Sequence, residues 1–195
     1  MLALAQPAEA RIIYTAAHVV IDENYAVYHL DLNHDGATDF VLSLSASCDN
    51  FCGSRLLATG QAGNGAEGEN EYAAALHRGA HIGPKRHFAP FNALVTHTFT
   101  PSGVWYRSRG PWRNVTNRYI GLKFVIKGRI HYGWARMDVR RKAQHLTGTL
   151  TGYAYQTVPI KPIIAGETKG SDVIAVQPAS LGHLAAGVAS IPARR

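Results

Sequence analysis

The most restrictive feature of this chain is a periodicity it lacks. No long stretch repeats apolar residues at helical spacing, and most segments alternate or form short apolar runs bounded by Gly, Pro, Asn and Asp. That pattern predicts strands over residues 11–20, 25–31, 39–46, 93–100, 104–107, 118–126, 130–139, 146–157 and 160–164. At 195 residues the chain suffices for one domain with a sizeable core. The expected fold class is therefore all-β, an antiparallel β-sandwich or jelly-roll-like single domain with short helical turns at most. Its body spans 11–166, after a segment 1–10 and before a flexible C-terminal tail, 167–195. Residues 60–71 (GQAGNGAEGENE) are Gly-rich and read as a surface loop, and 71–77 (EYAAALH) as one or two helical turns.

One hairpin can be read in register. Ile120, Leu122, Phe124 and Ile126 share a face, as do Ile130, Tyr132 and Trp134. A three-residue loop, Lys127-Gly128-Arg129, pairs Ile126 with Ile130, Phe124 with Tyr132 and Leu122 with Trp134. All large apolar side chains then lie on one side. A two-residue loop splits them, so the longer loop is expected.

Charge is unevenly distributed. The net charge is +7, yet no Lys or Arg occurs from Ile12 to Ser54, a stretch with six acids. From Arg55 onward nineteen basic residues face six acids, a surplus of thirteen. The basic residues are scattered rather than blocked, which fits a solubilising surface better than a dedicated site for nucleic acid, anionic lipid or acidic polysaccharide. No apolar run reaches the length of a spanning helix, so no membrane span is expected.

Within the acidic stretch lies the clearest chemical motif, Asp31-Leu32-Asn33-His34-Asp35-Gly36-Ala37-Thr38-Asp39. Ca²⁺ takes six to eight oxygens from a flexible loop. Asp31, Asn33 and Asp35 place side-chain oxygens on the concave side of a tight turn, Gly36 permits the reversal, the Ala37 carbonyl adds a backbone oxygen, and Asp39 closes the shell. Three carboxylates this close repel one another unless a cation joins them. The twelfth loop position is Leu42 rather than Glu, and both flanks alternate as strands. The expectation is an EF-like loop on a β-hairpin, binding a structural Ca²⁺ at ~10⁻⁴–10⁻³ M. A metal-free turn, with the side chains bonded to backbone amides, is the competing arrangement. His34, between the ligands, is expected to face solvent.

Cys48 and Cys52 form a short CDNFC loop, expected as a disulfide. Ala8-Glu9-Ala10 has the small-x-small form that precedes a signal-peptidase cut, with Leu2–Ala5 as the end of an apolar region. Residues 1–10 are thus expected to be the remnant of a signal peptide. Arg107, Arg109, Arg113 and Arg118 interleave with Trp105, Tyr106, Trp112 and Tyr119. Such interleaving can stack on sugars or bases and bind anions, or form a basic surface loop with its aromatics partly in the core. It makes a carbohydrate-binding module using Trp105, Tyr106 and Trp112 one alternative function.

No G-x-S-x-G elbow or Cys/His signature occurs. Glu67, Glu69 and Glu71 fall in the Gly-rich segment, a poor place to fix two carboxylates for glycoside hydrolysis. The chain therefore reads as non-enzymatic, with a jelly-roll glycan hydrolase as the other alternative.

The segments YIGLKFVIKGRIHYGWARMDV (119–139) and LTGTLTGYAYQTVPIKPIIAG (146–166), with upstream DLNHDGATDF, resemble exported bacterial proteins of the PEP-CTERM-associated type. The resemblance rests on the G-L-K-F, H-Y-G-W-A and T-L-T-G-Y-A-Y motifs. It departs at Gln156, where Glu is usual, and in the tail (VQPASLGHLAAGVASIPARR), a decayed version of the sorting signal. The resemblance implies export, a β-sandwich-like domain and surface retention. Extracellular polysaccharide or cell-surface components are the expected partners.

Overall fold

The computed structural model describes residues 11–24, 26–102 and 105–169; the expected signal-peptide remnant and most of the tail lie outside them. Among the described residues fourteen strands follow one another: β1 (Ile12–Ile21), β2 (Val27–Leu30), β3 (Phe40–Cys48), β4 (Cys52–Gly60), β5 (Gly65–Glu69), β6 (Tyr72–Ala73), β7 (His81–Ile82), β8 (Phe88–Ala89), β9 (Phe91–Phe99), β10 (Tyr106–Arg109), β11 (Val115–Ile126), β12 (Arg129–Lys142), β13 (His145–Gln156) and β14 (Ile163–Ile164). The described residues contain no helix, and none is long and apolar enough to cross a membrane.

The all-β, mostly antiparallel expectation holds. One hydrogen-bonded path, β1-β13-β12-β11-β5-β6-β9-β4-β3-β2, carries most strands, with β10 added to β9 and β8 to β5. Its two ends, β1 and β2, approach within 8 Å between Cα atoms, so the sheet curls until it is nearly a barrel. The main core fills the curl, with Leu30, Phe40, Leu56, Leu94, Phe124 and Leu150 among its buried side chains.

The hairpin of β11 and β12 corrects the sequence reading. Ile126 pairs with Arg129, Phe124 with His131 and Leu122 with Gly133, so the loop is Lys127-Gly128 alone. Both residues have positive φ, 48° and 77°, as a two-residue primed turn requires. The one-sided argument fails because this sheet is buried on both faces. Ile120, Leu122 and Phe124 enter the main core. Tyr132 and Trp134 face outward into a second cluster, covered by Ile82, Ile163 and Ala165. There Trp134 meets Tyr119 edge-on at 5.2 Å and donates through Nε1 to the Glu167 carbonyl.

The Gly-rich 60–71 segment is likewise not a surface loop. It holds β5, whose Gly65, Ala66, Glu67 and Gly68 are buried and whose neighbours are β11, β6 and β8. A Cβ at Gly68 would stand 2.2 Å from the Tyr72 carbonyl oxygen, so smallness here is a packing requirement. Residues 71–77 are extended rather than helical, with Tyr72 paired to Ala93 and Leu76 bridged to Tyr119. Strand β4, absent from the sequence reading, pairs along its length with β3 and β9.

The turn gives a direct test. A Cβ on Gly128 would meet nothing within 4 Å, so Gly128→Ala isolates the left-handed backbone penalty. Urea unfolding is expected to show a loss of about 1 kcal/mol.

Candidate functional site

The acidic loop joins β2 to β3, held at its base by the Asp39 amide donating to the Leu30 carbonyl (2.9 Å). Asp31 accepts from the amides of Asp35 (3.2 Å) and Gly36 (2.7 Å). Asp35 accepts from the Ala37 amide (2.9 Å) and from Asn33 Nδ2 (2.9 Å). The amide bond first, and the Asn33 bond second, hold the Asp35 carboxyl below the usual carboxylate range. Asp39 is buried at the root and accepts from the Leu32 amide at 2.8 Å. Burial raises its pKa most, with repulsion from Asp35 and Asp31 adding to the rise.

The loop thus brings Asp31, Asn33 and Asp35 together through direct hydrogen bonds and sets Asp39 beneath them. Ala37 enters the network through its amide. Among the described residues, no group of three or more His, Cys, Asp or Glu side chains is arranged to hold a metal ion. Asn33 Oδ1 is nevertheless buried without a hydrogen-bond partner. His34 is exposed, as expected, with its Nε2 2.9 Å from Thr15 Oγ1 and its ring near Tyr153.

Sequence reasoning missed the residue that braces this loop. Asn64 donates through Nδ2 to the Asp39 carbonyl (3.0 Å) and accepts through Oδ1 from the Val125 amide (3.0 Å). It ties the acidic loop to β11. Tyr155 also lies close, its phenol pKa raised by burial first and then by Asp31, Asp35 and Asp39. Cys48 and Cys52 stand at disulfide distance, directly opposite each other at the end of the β3–β4 hairpin.

The three aromatics expected to form a glycan platform are separated. Trp112 is 0% exposed and donates through Nε1 to the Ala73 carbonyl (2.9 Å), so it is a core residue. Trp105, 46% exposed, meets Phe51 edge-on at 5.8 Å, whereas Tyr106, 57% exposed, lies under the Arg141 guanidinium at 4.5 Å.

A second constellation appears only in the fold. Glu67 is 5% exposed, with Oε1 3.5 Å from Arg86 Nε and Oε2 buried without a hydrogen-bond partner. A Cβ at Gly121 would fall 2.6 Å from that oxygen, so the glycine of the G-L-K-F motif provides the seat for the carboxyl. Glu67 and Glu69, at alternate positions of β5, line a cleft of about 510 Å³ with Tyr72, Lys85, Arg86 and His87. Burial raises the Glu67 pKa, against the opposing pull of Arg86. Composition alone makes these acids look like loop residues, whereas β5 gives Glu67 a fixed place.

No family model, curated protein or solved structure matches the chain.

The raised Glu67 pKa means that the folded chain holds this proton more tightly than the unfolded chain. Its contribution to stability is complete below the unfolded carboxyl's pKa and is lost as pH rises through the folded value. Glu67→Gln is therefore expected to melt above the wild type near neutral pH, with the gap closing toward a pH of about 4. Paired thermal melts across that range check it.

Proposed function

We propose that this chain is an exported, non-enzymatic protein of the bacterial cell surface or extracellular matrix. In this reading, Ca²⁺ held by Asp31, Asn33, Asp35, the Ala37 carbonyl and Asp39 stabilises the β2–β3 hairpin. The observation that carries it is the gathering of three carboxylates in one short loop, with no Lys or Arg from Ile12 to Ser54. A carboxylate oxygen that accepts one amide retains a lone pair for a hard cation. The unpartnered Asn33 Oδ1 adds a neutral oxygen of the type such a shell uses. The acidic loop lacks its own counter-charges, so a bound cation would relieve its repulsion and convert binding into folding stability. The paired Cys48 and Cys52, and the resemblance of the 119–139 and 146–166 motifs to exported proteins, support the setting.

At ~2 mM Ca²⁺ and a Kd of ~0.1 mM, the stabilisation is about 1.8 kcal/mol. For a chain of this size, that raises Tm by about 5 °C relative to EDTA. The same amount of Mg²⁺ is expected to do little, because it keeps its waters and demands a tighter octahedron. Asp35→Asn should remove most of the calcium shift. Equal melting in calcium and EDTA would refute the site.

One observation favours a second reading, a glycan hydrolase: two acids line one cleft, and the pKa of one is raised. Glu67 would act as the proton donor to the leaving oxygen, and Glu69 as the carboxylate that activates water. Release of reducing ends from a panel of bacterial and plant polysaccharides, lost in Glu67→Gln, is its expected signature. No release by the wild type would remove it.

A further inference from the structure

Among the described residues β10 pairs with β9 alone, and the chain leaves it through Gly110 toward β11. Gly110 has φ of 100°, and a Cβ there would lie 2.6 Å from the Leu94 carbonyl oxygen, so the turn is pressed against the core. Trp112 plugs the core beneath it. The turn holds Arg113 and Asn114 beside the β12–β13 connection. Asn114 Oδ1 accepts from the Arg141 amide (2.8 Å), and the Arg141 guanidinium donates to the Ala143 carbonyl (2.8 Å). The result is a cleft of about 340 Å³ whose polar lining is Tyr106, Ser108, Arg113, Asn114 and Arg141.

Three properties mark this cleft as built for an anion. No carboxylate lines it. Among the described residues, the guanidinium hydrogen bonds of Arg113 and Arg141 go to carbonyls, those of Ser108 and Ala143, so neither charge is neutralised by an acid. Ser108 is fixed from below by His97, which is fully buried, with Nδ1 2.9 Å from Ser108 Oγ and Nε2 without a hydrogen-bond partner. Burial first and the Arg141 charge second hold the His97 pKa below its ordinary value.

Tyr106 and Arg141 also border a second cleft of about 400 Å³, lined by His97, Phe99, Gln144 and His145, the last hydrogen-bonded to Glu23 at 3.0 Å. The two clefts therefore adjoin across the Tyr106–Arg141 stack, giving a length suited to an extended ligand. Guanidinium forks match carboxylates and sulfates, and an exposed phenol ring offers a face for a sugar ring. Single-stranded nucleic acid would call for successive exposed rings. Here Trp112 is buried and Trp105 is engaged by Phe51.

We propose that the cleft between β10 and the β12–β13 connection binds an acidic polysaccharide, with Arg113 and Arg141 holding its carboxylate or sulfate groups and Tyr106 packing on a sugar ring. The site is independent of the acidic loop and of calcium.

The test is affinity electrophoresis of the whole chain in polygalacturonate, dextran sulfate and neutral dextran. Wild type should be retarded by at least one polyanion and not by neutral dextran; comparison of the two polyanions tells carboxylate from sulfate preference. The Arg113→Gln/Arg141→Gln variant should bind about tenfold more weakly or worse. The control Arg107→Gln/Arg109→Gln removes the same charge from alternate positions of β10, which face the other side, and should bind like wild type. If the first variant melts lower than wild type, Arg113→Lys/Arg141→Lys keeps the charge without the planar fork and should still weaken binding in a folded chain. Equal weakening by the two glutamine pairs would overturn the proposal by exposing a general charge effect. So would absence of retardation by both polyanions, or stronger binding to single-stranded DNA than to either.

Discussion

The architecture hangs on the close backbone approach made by the short strand Gly65–Glu69. On one side lies the long meander β11–β12–β13–β1, and on the other lies β9–β4–β3–β2. β5 meets β11 through Ala66 and Gly65, β8 through Ala66 and Glu67, and β6 through Gly68 and Glu69. Only small residues allow so many backbones to converge. A Cβ at Gly65 would stand 3.0 Å from the Ala89 carbonyl oxygen, and one at Gly68 closer still to that of Tyr72. The strand that looks least like a strand in composition is the one that makes a single curled sheet out of two halves.

That junction also accounts for a polar group deep in the structure. Alternation along β5 places Glu67 against Gly121 of β11, where the absence of a side chain leaves room for the carboxyl. Arg86, three residues after Gly83 in an irregular segment, supplies the partial counter-charge. A carboxyl so placed is costly to ionise and is seated in a cleft, the combination that recurs where proteins handle protons. The same curl lines up the acidic loop with β11 through Asn64, so the hairpin carrying the carboxylates is fastened to the sheet it faces.

Burial on both faces decides the register of the central hairpin. A sheet with one wet face would gather Phe124, Tyr132 and Trp134 on one side. Here Phe124 belongs to the inner core, while Tyr132 and Trp134 belong to an outer cluster roofed by the β7–β14 pair. Ile82 and Ile163, far apart in sequence, provide the roof, and no local pattern around residues 119–135 announces it. The primed turn at Lys127-Gly128 agrees with this register, because both residues accept positive φ.

Strand periodicity, most strand positions, the acidic hairpin between β2 and β3 and the nearness of Cys48 to Cys52 are legible along the chain, since each depends on residues close in sequence. So is the Arg–aromatic segment 105–119. Which of those aromatics are available depends on the fold: Trp112 is drawn into the core by the Gly110 turn, and Tyr106 is left exposed beneath Arg141. The fold alone turns the Gly-rich 60–71 stretch into a buried strand and places Glu67 opposite Gly121. The physical reason is the same in each case. Alternation reports which side chains share a face of a strand, but whether that face meets water, the core or a second layer depends on segments folded back from elsewhere in the chain.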